Sequence, residues 1–74
     1  MTLDDQRPGK ICRVKSIKAE GGLWQRLMDL GLYPGLNVRM VRNAPLNDPL
    51  EIEVDGMFVS LRRNEARFVE VEGQ

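Results

Sequence analysis

With 74 residues, 42% of them hydrophobic, and eleven basic side chains balanced by eleven acidic ones, the chain has room for one domain that buries about 60% of its unfolded surface. A net charge of zero argues against a nucleic-acid binder, which needs a basic face to displace counterions, and it leaves weak self-association open. One cysteine and no histidine exclude an internal disulfide, a histidine-based triad and a Cys/His zinc site, so stability has to come from a closely packed apolar core.

Residues 1–9, "MTLDDQRPG", are polar and end in a Pro-Gly turn; they read as a partly loose lead-in and not as a secretory signal. No apolar run approaches the ~18 residues of a membrane span, so the expectation is a cytoplasmic protein with a reduced thiol and no membrane insertion. Residues 10–18, "KICRVKSIK", read as a strand with Cys12, Val14 and Ser16 on one face and Arg13 and Lys15 on the other. Ile11 and Ile17 break the alternation, which points to a bulge or a two-sided strand.

Gly21-Gly22 ends the strand. Leu23, Leu27 and Leu30 then recur at helical spacing, with Trp24 and Met28 widening the apolar stripe. A helix of two to three turns is too short to persist alone and has to pack on something. Gly31 sits where a left-handed residue ends a helix, and Leu32 is the apolar residue that folds back on the last turn. Pro34-Gly35 fits the two central positions of a type II turn. Leu36, Val38 and Met40 follow on one strand face.

Residues 42–49, "RNAPLNDP", read as a loop in which Asn47 tolerates left-handed geometry. The clearest signal is "LEIEVDGMFVSL" at 50–61. Leu50, Ile52 and Val54 alternate with Glu51, Glu53 and Asp55, and Asp55-Gly56 is a primed hairpin turn. Met57, Val59 and Leu61 are expected inward on the return strand, with Phe58 and Ser60 outward. Residues 62–66 read as one helical turn, and "RFVEVE" at 67–72 as the last strand, with Val69 and Val71 inward. The class is mainly β: a small, partly closed five-stranded barrel, with one short α-helix after the first strand and a helical turn before the last.

Catalytic chemistry is hard to assemble from these residues. Cys12 points to the core, the ordinary place for a free cysteine. Walker A and Rossmann glycine patterns are absent. Glu51, Glu53 and Asp55 could offer oxygens to a hard cation, but side chains two apart on a strand lie ~6.5–7 Å apart, and cross-strand pairing with arginines is the simpler use. No catalytic, cofactor or metal site is assigned. The spare residues are apolar: Trp24, Met28, Leu32, Tyr33 and Phe58 are the candidate anchors of a partner-binding patch, since aromatics and Met are enriched at interface centres.

Three blocks in order, "GGLWQRLMDLGLYPG", "VRNAPLNDPLEIEVDG" and "VSLRRNEARFVEVE", resemble the FeoA family, small accessory proteins of bacterial ferrous-iron uptake. The likeness runs from about residue 8 to 72 of a single domain spanning 1–74. Within it, Arg26-Leu27, Gly31-Leu32 and Pro34-Gly35 match the family's helix and corner, while Asn47 stands where glycine is common. The resemblance implies an SH3-like barrel and a cytoplasmic partner, the FeoB permease with its GTPase domain. It brings no catalytic residues. The expected function is therefore a non-enzymatic interaction module; the alternatives are a divalent-metal carrier or sensor using Cys12 and the 51–55 carboxylates, and a GTPase-activating partner.

Overall fold

The computed structural model describes residues 1–43 and 48–73. Residues 44–47, with Asn47 and the Ala44-Pro45-Leu46 part of the family motif, lie outside the described residues. The elements in chain order are β1 (Ile11–Ile17), α1 (Gly21–Asp29), β2 (Asn37–Asn43), β3 (Leu50–Val54), β4 (Met57–Leu61), α2 (Arg63–Ala66) and β5 (Val69–Gly73). They match the expected order of five strands and two helical pieces.

The strands form one antiparallel sheet in the order β4-β3-β2-β1-β5. β4 and β5 are its two edges, so the barrel stays open between them. A register shift between Val14 and Ser16 against β5 supplies the expected irregularity in β1. A second shift, between Met40 and Arg42 against β3, was not expected. It carries β2 on through Asn43, into residues that read as loop, because the extra residue at Val41 keeps the ladder going after the alternation breaks.

The core follows the alternation. Cys12 and Val14 from β1, Leu36, Val38 and Met40 around β2, Leu50, Ile52 and Val54 from β3, Leu61 from β4, and Val69 and Val71 from β5 are all buried. Helix α1 lies on this apolar face through Leu27, which is fully buried, with Leu23 and Leu30 packed at its sides. At about 25 cal/mol per Å² of apolar surface removed from water, this cluster is what holds so short a chain together.

Two expectations are corrected. The lead-in is docked: Leu3 sits in a 3₁₀ turn (Leu3–Asp5) and is fully buried. Thr2 bridges Glu70, and the Val71 N–H donates to the Met1 carbonyl at 2.9 Å, so the first residues are held against β5. One leucine in a polar stretch has no periodicity to betray it. Met57, expected inward, is 68% exposed. It opens the edge strand β4 just after the hairpin turn, where no further strand lies over it.

Candidate functional site

The stretch from Leu27 to Val38 aims one end of the helix at the β3–β4 hairpin. Helix α1 closes in a paired hydrogen-bond cap: Gly31 N–H donates to the Met28 carbonyl (2.9 Å) and Leu32 N–H to the Leu27 carbonyl (3.1 Å). Gly31, at φ +89°, takes the left-handed conformation this cap needs. A type II turn follows, with Gly35 at φ +94° and Leu36 N–H donating to the Tyr33 carbonyl at 3.2 Å. The turn is bonded to β1 in both directions, Gly35 N–H to the Val14 carbonyl and Val14 N–H to the Leu36 carbonyl, each at 2.8 Å. The corner is therefore anchored to the sheet and holds its side chains in fixed positions.

A groove of about 250 Å³ lies between this corner and the hairpin, lined by Asp29, Leu30, Gly31, Tyr33, Val54, Asp55, Met57 and Val59. Val59, on the inner face of β4, is only partly covered here. Tyr33 and Met57, 46% and 68% exposed, stand at its margins. Two carboxylates flank it: Asp29 accepts a hydrogen bond from the Gln25 amide at 2.8 Å, and Asp55 occupies the type I′ turn at φ +50°. Neither takes part in any of the ion pairs among the described residues. A more open depression of about 420 Å³, lined by Ile11, Asn37, Arg39 and Glu53, shares Asp55 with the groove; Arg39 and Glu53 are paired with each other there.

The five candidate anchors are not one patch. Tyr33 reaches the groove. Trp24, 42% exposed, and the half-buried Met28 lie one turn apart on α1, beside its buried stripe. Leu32 is corrected: it is fully buried, because the helix cap turns it under α1, so no partner can touch it in this conformation. Phe58 is exposed but opposite Glu53, on the outer face of β4 and away from the groove. Met57 is on the inner face, as the alternation has it, but is open to solvent at the groove; its position directly after a hairpin turn on an edge strand was the signal available.

The groups invoked for metal binding lie on two faces. Cys12 is buried inside, and burial pushes its thiol pKa up, away from the thiolate a metal needs. Glu51 and Glu53 alternate with the buried Leu50, Ile52 and Val54 and so face outward, where Arg42 and Arg39 pair with them. Among the described residues no three His, Cys, Asp or Glu side chains are clustered to hold an ion.

The FeoA domain family matches residues 1–73. This chain belongs to the FeoA family. A fusion of ferrous-iron transport protein A with the transporter FeoB from Porphyromonas gingivalis is 31% identical over 72 residues, 97% of this chain; the chain spans only 8% of that protein. The solution structure of FeoA from Chlorobium tepidum superposes with a TM-score of 0.90 at 41% identity, covering 99% of this chain and 70% of that one. The zinc complex of FeoA from Stenotrophomonas maltophilia, an SH3 domain protein, gives 0.85 at 33% identity, covering 97% and 89%. The FeoA-family chain thus has the SH3-like fold and is a ferrous-iron transport accessory protein by family.

Proposed function

We propose that this FeoA-family protein has no chemistry of its own and acts in the cytoplasm by docking on the cytosolic part of a FeoB-like ferrous-iron permease. The observation that carries the reading is the Porphyromonas relative, in which a domain like this one is joined in one chain to FeoB. A domain covalently tied to a transporter works beside it, at the high effective concentration that a short tether gives. The groove between the α1 corner and the β3–β4 hairpin is the proposed contact, with Tyr33 and Met57 as margins and Trp24 and Met28 extending it along the helix. Its apolar walls and two unpaired carboxylates fit an apolar partner segment that carries a cation. The effect on transport follows from binding one conformation of the permease better than another.

Isothermal calorimetry with the isolated cytosolic region of the permease tests this. Tyr33→Glu and Met57→Glu should each weaken binding at least about tenfold, while circular dichroism stays native. Binding that survives both changes removes the groove, and a parallel Met28→Glu variant then reports whether the helix face serves instead. Adding the protein during GTP hydrolysis separates docking alone, which leaves the rate flat, from control of the nucleotide cycle.

A further inference from the structure

The two edges of the sheet are treated differently. The β5 edge is covered by the chain's own start, through the Thr2–Glu70 bridge and the hydrogen bond from Val71 N–H to the Met1 carbonyl. The β4 edge has no such cover among the described residues. It also lacks the usual defences of an exposed edge: Met57–Leu61, "MFVSL", contains no charge and no proline, and its pairing with β3 runs without a register shift. Both faces of this edge are apolar and exposed, Met57 on the inner side and Phe58, 63% exposed, on the outer.

The geometry points to a symmetric dimer in which β4 pairs antiparallel with β4 of a second copy of this chain. In a two-residue hairpin the residues flanking the turn, here Val54 and Met57, form a hydrogen-bonded pair, and such pairs alternate with non-bonded ones along the ladder. The backbone groups of Phe58 and Ser60 therefore point away from β3, to the open side. A two-fold axis through Val59 sets Phe58 of each copy opposite Ser60 of the other. Each of these two pairs exchanges two backbone hydrogen bonds.

The side chains agree with that register. A large ring meets a small hydroxyl residue on the outer face, and the partly covered Val59 meets its own counterpart on the inner face. No charge on β4 faces a like charge, since the strand has none. The ends are complementary: the acidic tip at Asp55, outside every ion pair among the described residues, runs out beside the exposed Arg62 of the second copy. A net charge of zero removes the long-range repulsion that would oppose the approach. The pairing brings Val59 of the two copies together on the inner face, where Val59 also lines the groove assigned to the permease, so the two contacts adjoin at the inner face of β4.

Sedimentation equilibrium on the full chain, with hydrogen exchange at two concentrations, tests the dimer. The average mass should rise from the 8.4 kDa monomer toward twice that value as the concentration approaches about 1 mM. The Phe58 and Ser60 amides should gain protection over the same range. Phe58→Lys places a cation opposite Glu53 and leaves the fold intact; Ser60→Pro removes only the outward donor. Each should return the mass to monomer, with circular dichroism unchanged. A mass fixed at the monomer value up to that concentration overturns the proposal. So does a dimer in which the Phe58 and Ser60 amides exchange as fast as in dilute solution, or one that Phe58→Lys leaves intact while folded.

Discussion

Arg26 on α1 and Glu65 on α2, 39 residues apart in sequence, form an ion pair that ties the two helices together. Glu65 also accepts the Arg62 N–H at 3.0 Å, closing the start of α2. Its second role fixes the carboxylate so that the arginine meets a preset partner, at less entropic cost than for two free side chains. Together they hold the α1 corner and the β4–β5 connection in one frame.

The pair makes the fold sensitive to acid in a defined direction. The Arg26 guanidinium, with help from the Arg62 N–H, holds the Glu65 carboxyl below its ordinary value of 4.5. A carboxyl lowered by folding stabilises the native state above its ordinary value, and the contribution is lost as pH falls through the lowered one. Thermal melts of the wild type and Glu65→Gln should therefore differ by a constant few degrees above about pH 5 and converge below it. A gap that stays the same down to low pH would show that ionisation of Glu65 adds nothing. Salt should narrow the gap at neutral pH, because Arg26 is half exposed.

Burial separates core residues from surface ones sharply enough for a paired test. Leu27→Ala removes a fully buried side chain and should cost about 2–5 kcal/mol in urea unfolding. For a domain this small that is a large share of the total. Met57→Ala should change stability by no more than about 0.5 kcal/mol, since the side chain is already in water. Equal losses at the two positions would contradict the placement of α1 on the sheet.

Gly31 and Gly22 give a test of backbone conformation alone. A Cβ on Gly31 would lie 4.0 Å from Val54 Cγ1, an ordinary contact, so space is not limiting. The positive φ is, and Gly31→Ala should cost about 1–2 kcal/mol. Gly22 is in the helix without a positive φ and nothing lies within 4 Å of its Cβ position. Gly22→Ala should be neutral or stabilising by up to about 1 kcal/mol. Thermal or urea unfolding of both variants reads the contrast.

The succession of elements along the chain, the helix cap and the primed hairpin could be read from the sequence because each rests on local rules. Period-two alternation placed Ile52 and Val54, and the glycines at 31, 35 and 56 marked turns that demand positive φ. What could not be read depends on long-range contact. Leu3 is buried only because β5 and α2 pass nearby. The β2 ladder outlasts its pattern through the shift at Val41. The candidate site failed for the same reason. Leu32 and Met57 carry apolar side chains in regular positions, and only the covering elements decide that one is sealed and the other open.

The burial of Cys12 gives the molecule a built-in reporter. It is the single sulfhydryl in the chain, enclosed in the core, where burial pushes its pKa up. An alkylating reagent can reach it only during the moments when the domain opens. The rate at which its mass increases under such a reagent therefore measures that opening, without any label having been engineered in. Changes at the groove or at the free strand edge should leave the rate alone, whereas any that loosen the interior should raise it.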